Sequence, residues 1–83
     1  MKLSFNDTPN LMKFQISSRE LEILRKSADG FTAQQIASEL NLSVQAISRS
    51  QKDLLLRTGQ PNLLNALQTL ARRGFVLREE RIN

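Results

Sequence analysis

Apolar residues recur at three- and four-residue intervals along most of the chain, and polar or turn-forming residues interrupt them at intervals. Leu21, Ile23, Leu24 and Ala28 form one stripe, and Ile36, Ala37 and Leu40 a second. Ile47 and Leu54 form a third, and Leu63, Leu64, Ala66, Leu67, Leu70 and Ala71 a fourth. This spacing is that of helices burying one face each, so the pattern predicts four helices. The interruptions carry matching start and stop signals. Ser17 followed by Glu20 predicts a capping box, in which each side chain satisfies a free backbone N–H of the first turn, with the helix beginning after Ser17 or Ser18. Gly30 is suited to end that helix in the left-handed conformation. Thr32 caps the second helix, Asn41 and Leu42 form a turn, and Ser43 caps the third. Gly59 stops the third helix, and Pro61 suits the first turn of a fourth, where its missing N–H costs nothing. That helix ends at Gly74, and Phe75-Val76-Leu77 reads as a short extended end.

Residues 30–59 place two of these helices across a break of about four residues, as in a helix-turn-helix. On a wheel at about 100° per residue, Ile47 and Leu54 lie within about 20° of each other and point inward, with Val44, Ser50 and Gln51 beside them. Gln45, Ser48, Arg49 and Lys52 gather on the opposite side, and Leu55 and Leu56 lie toward it. A helix docked in the major groove needs this division: a buried face fixes its position, and polar side chains reach base edges and phosphates. Arg49 suits guanine, Gln45 suits adenine, Ser48 permits close approach, and Lys52, one turn on, suits a phosphate. The same division would also suit an ordinary amphipathic helix with a wet polar face.

Charge sharpens the picture. The net charge of +4 is confined to one part of the chain. Residues 43–73 hold Arg49, Lys52, Arg57, Arg72 and Arg73 against Asp53 alone, whereas residues 17–42 carry a slight acidic excess. A positive region of this kind attracts polyanions and speeds encounter with them.

With 83 residues there is room for one small domain. The chain contains no Cys and no His. Disulfides, zinc fingers and most metal sites are thereby excluded, along with the commonest general base. No enzymatic activity, cofactor or metal is expected. No apolar run is long enough to span a membrane, and the N-terminus lacks the apolar core of a signal peptide, so a cytoplasmic, nucleoid-associated protein is expected.

From Ile16 to about Ala71 the chain resembles the helix-turn-helix DNA-binding domains of the LuxR/NarL/GerE family. The matching residues are ISSRELEIL at 16–24, Gly30, Thr32, Ile36-Ala37, Leu40, Leu42-Ser43, Ile47, Leu54, Gly59, Asn62 and Ala66. The resemblance implies an all-α, four-helix (tetrahelical) fold with a partly ordered N-terminal arm. The expected boundaries are an arm at 1–16, the domain at 17–74 with a dimerisation helix at 61–73, and a tail at 75–83. It implies a recognition helix at 44–57 with Ser48, Arg49 and Lys52 at contacting positions. Ser43 and Arg57 would approach the DNA backbone, and Glu20 would be an internal anchor. The wide apolar arc of the last helix, about 160° at 100° per residue, suits a homodimer interface through Leu63, Ala66, Leu67 and Leu70. A buried terminal helix would also account for it. The family usually carries Thr-Val-Lys-x-His where this chain has Ala46-Ile47-Ser48-Arg49-Ser50, an apolar residue at Thr58, and often Arg at Leu63. The target sequence is therefore not transferable. With about sixteen residues before the motif, the chain is expected to be a freestanding regulator, like the family's spore-type members, or equally a fragment of a longer protein.

The expected function is that of a sequence-specific, dimeric bacterial transcription regulator binding double-stranded DNA. The alternative is a protein-interaction module that binds another regulator or RNA polymerase with little DNA binding of its own.

Overall fold

The computed structural model describes residues 14–78. In chain order it contains β1 (Phe14–Ile16), α1 (Ser18–Ala28), α2 (Ala33–Leu40), α3 (Val44–Thr58), α4 (Leu63–Arg73) and β2 (Phe75–Leu77). The four expected helices are present. The arm residues 1–13 and the tail residues 79–83 lie outside the described residues.

Local hydrogen bonds set the helix starts. Ser17 Oγ accepts from the Glu20 N–H at 3.0 Å, and a Glu20 carboxylate oxygen accepts from the Ser17 N–H at 3.0 Å. Thr32 and Gln35 form a second reciprocal box at the head of α2. Ser43 caps α3 by accepting from the Ala46 N–H. Each bond satisfies an amide that the first helical turn leaves free. Between α2 and α3 the chain reverses through Asn41, which adopts φ 61° and ψ 43°. Left-handed backbone is unusual for a residue with a Cβ, and asparagine tolerates it best. Gly59, at φ 70°, ends α3. Pro61 does not open α4 as its type suggested. It precedes the cap, and Asn62 takes that role by accepting from the Asn65 N–H at 2.8 Å.

Gly74, at φ 86° and ψ 155°, turns the chain out of α4 in a conformation open essentially to glycine alone. The extended end expected at 75–77 is β2, and it has a partner that the pattern had not indicated. β2 pairs in parallel with β1, aligning Phe14 with Phe75 and Ile16 with Leu77. Parallel strands require a crossover connection; here all four helices form it. Ile16 is fully buried and Phe14 packs on the core, so the expected boundary after residue 16 falls inside the packed domain.

The core has two clusters. Ile16, Leu24, Leu54, Ala66 and Leu70 form one, and Ile23, Ile36, Ala37 and Ile47 the other. α3 contributes Leu54 to the first and Ile47 to the second. A helix anchored at two points two turns apart is fixed in position and in rotation about its axis. Thr58, which replaces an apolar side chain in the usual pattern, is buried and donates its hydroxyl to the Leu54 carbonyl at 2.8 Å. The buried oxygen is thus satisfied within the helix.

α4 departs most from expectation. Ala66 and Leu70, expected at a dimer interface, are fully buried within the protomer, and Leu63 and Leu67 pack half-buried against the same cluster. Most of the wide apolar arc, from Ala66 and Leu70 to Leu63 and Leu67, is occupied by the protein's own core, which β1, α1 and α3 share with this helix. Leu64, Gln68 and Ala71 remain exposed on it.

Candidate nucleic-acid interface

With Ile47 and Leu54 buried, the opposite face of α3 turns outward. Ser43, Gln45, Arg49 and Lys52 are exposed and Ser48 is half-buried. Gln45, Ser48, Arg49 and Lys52 line one shallow concave surface together with Val44. The expected reading residues are therefore brought together. Val44, expected beside the inward residues, lies outside both core clusters and is 39% exposed. Leu55 shows the opposite change: it packs half-buried on the first cluster, and Leu56 alone of the two is outward, at 81% exposure.

Arg57, expected to approach a DNA backbone, makes its contacts within the domain. Its Nη1 donates to the Gln15 carbonyl at 3.2 Å, and its guanidinium carbon lies 5.8 Å from the centre of the Phe14 ring. Nη2 is 3.0 Å from a Glu20 carboxylate oxygen and Nε is 3.0 Å from one of Asp53. These two contacts are charge pairs without good N–H alignment, since both nitrogens are buried with no hydrogen-bond acceptor on axis. The side chain ties α3 to β1 and to the head of α1. Its i−4 acid was visible in the sequence, but its contacts with Phe14, Gln15 and Glu20 were not.

The consequence is electrostatic. Asp53, the one acidic residue between 43 and 73, is held by Arg57. Neither Arg49 nor Lys52 forms an ion pair with any described residue. The outward face of α3 thus presents two uncompensated cations, while the internal charges cancel. Gln51 adds a further tie by donating from Nε2 to Ser27 Oγ at 2.9 Å, which links α3 to the end of α1. On the far side, Lys26 pairs with Glu39 at 2.7 Å and fastens α1 to α2.

Glu20 accepts charge from both sides, with Arg78 3.6 Å away as well as Arg57. Burial by itself would raise its carboxyl. The bond from the Ser17 N–H, with Arg57 and Arg78, outweighs that and holds the carboxyl below its ordinary value of 4.5. A depressed folded-state value means that the unfolded chain binds the extra proton. The stabilisation is therefore present above about pH 4.5 and is lost as pH falls through the lower, folded-state value. Urea unfolding followed from neutral to acid pH should show this acid decline. Glu20→Gln, which keeps a capping oxygen but no charge, should flatten it.

Among the described residues no group of acidic side chains could hold a metal ion, and no helix is long and apolar enough to cross a membrane.

A short helix, a tight turn and a second helix with a cationic outward face, supported by a fourth helix, define a helix-turn-helix DNA-binding domain. The chain belongs to the luxR family of bacterial regulatory proteins, whose family model matches residues 15–69. It is 37% identical over 59 residues to the transcriptional regulatory protein RcsB of Escherichia coli (strain K12), and equally to those of Salmonella typhimurium (strain LT2) and Shigella flexneri. Each match covers 68% of this chain and 27% of the relative, so the chain corresponds to only about a quarter of those proteins' length.

Proposed function

We propose that this domain is a sequence-specific reader of double-stranded DNA in a bacterial transcription regulator, with α3 in the major groove. The observation that carries the reading is the pair of cations, Arg49 and Lys52, unpaired among the described residues, on the outward face of a helix anchored in both core clusters. Arg49 contacts a guanine edge, Gln45 an adenine, and Ser48 allows the helix to approach. Lys52 and the Ser43 end of α3 contact phosphates. The reader works as a homodimer, so that two α3 helices address successive half-sites. Leu64, Gln68 and Ala71, which are exposed on α4 together with Arg72 and Arg73, are the surface proposed for that contact. Such a role belongs to a cytoplasmic, nucleoid-associated protein.

Selection of bound sequences from a random duplex pool, followed by a salt series on the winner, tests the reading. Affinity should fall steeply with salt. Lys52→Ala should reduce the slope of log affinity against log salt by about one. Arg49→Ala should cost about 1–3 kcal/mol and relax preference at one base position.

A second reading, in which the domain binds another regulator or RNA polymerase, is favoured by Leu56, an exposed leucine on the same face. Retention of a protein partner together with indifference to duplex DNA at low salt would support it over the first.

A further inference from the structure

Val44 is the first residue of α3, and neither core cluster includes it. It is 39% exposed and contributes to the concave surface formed with Gln45, Ser48, Arg49 and Lys52. A single exposed valine is ordinary on a protein surface. The position of this one sets it apart. It sits among four polar side chains at the end of α3 that, in a major-groove dock, lies closest to the base edges.

The apolar feature that distinguishes one base from another in that groove is the 5-methyl group of thymine. Valine suits it. Branching at Cβ leaves one dominant χ1 rotamer in a helix, so both methyl groups are held in one direction before binding and little side-chain entropy is lost on contact. The neighbouring Gln45 points to the same base pairs. Glutamine matches the N6 and N7 edge of adenine, and every adenine it reads brings a paired thymine methyl into the same groove.

We propose that Val44 is a specificity-determining residue that packs against a thymine 5-methyl group in the bound site. The proposal rests on the major-groove reading above and goes beyond it by assigning an apolar contact to a surface otherwise read as polar.

Deoxyuridine differs from thymidine only in that methyl group, which gives a direct test. Thymines in a duplex selected from the random pool are replaced one at a time by deoxyuridine, and each duplex is titrated with the full chain and with its Val44→Ala variant. Alanine keeps the helix and lies outside the core, and thermal unfolding checks that the variant is folded.

At one position the unaltered protein should lose about fourfold in affinity, the effect of one buried methyl group. Val44→Ala should bind the thymine and uracil forms of that site equally. The proposal is overturned if no position is sensitive to the methyl group, or if Val44→Ala keeps the same thymine-to-uracil ratio. Either result leaves the major-groove reading standing. Failure to select any duplex at low salt overturns that reading, and the role of Val44 with it.

Discussion

Leu54→Ala should lower the unfolding free energy by about 3 kcal/mol, within the range for deleting a fully buried leucine side chain. Leu54 is fully buried and belongs to the cluster of Ile16, Leu24, Ala66 and Leu70, which joins β1, α1, α3 and α4. Its removal leaves a cavity where four elements meet, with the lost transfer energy added to the lost packing. A domain of this size has only modest stability to lose, so the effect is large in proportion. Urea unfolding should show a lower midpoint at an unchanged slope. Leu56→Ala, two residues away on the same helix, should change stability by less than about 0.5 kcal/mol, because that side chain is 81% exposed. The contrast tests the rotation of α3: similar costs at the two positions would mean that the helix is turned differently.

Arg57→Ala should cost about 2 kcal/mol. Complete burial of a charge pair would make the loss larger, but the Arg57 and Glu20 side chains keep 27% and 20% of their exposure, and residual solvent screens the pair. Four contacts are lost together: the bond to the Gln15 carbonyl, the charge pairs with Glu20 and Asp53, and the stacking on Phe14. Asp53 is then left uncompensated on α3. The salt dependence of DNA binding separates this anchoring role from a phosphate contact. In the folded variant the slope should match that of the unaltered protein, whereas a lost phosphate contact would reduce it by about one. Arg57→Met, which keeps much of the apolar stem, should recover part of the stability through Phe14.

The candidate site was largely legible as a set of residues. Gln45, Ser48, Arg49 and Lys52 fall together in the structure because all four lie on one helix, where relative direction follows from spacing alone. Depth does not follow from spacing. A wheel treats Val44 as inward because of its angle, but it occupies the first turn of α3, outside both clusters. Leu55 was placed outward by angle, and neighbouring elements cover it. The same gap affected α4. An apolar arc of about 160° at 100° per residue suits a partner subunit as well as a core, and only contacts between distant segments show that Ala66 and Leu70 are taken up by the core while Leu64 and Ala71 are not.

By itself the sequence determined where the helices stop, where the first three start, which stripes are apolar, and where the positive charge lies; the fourth start was displaced from Pro61 to the Asn62 cap. Caps, left-handed turns and helical stripes are interactions within about four residues, so the local chain contains them. Tertiary structure alone decided the pairing of β1 with β2, the inward turn of Arg57, the link from Gln51 to Ser27 and the exposure of Val44. Each depends on which segments far apart in the chain meet at contact distance and which residues they leave uncovered, and hydrophobic periodicity carries no information about either.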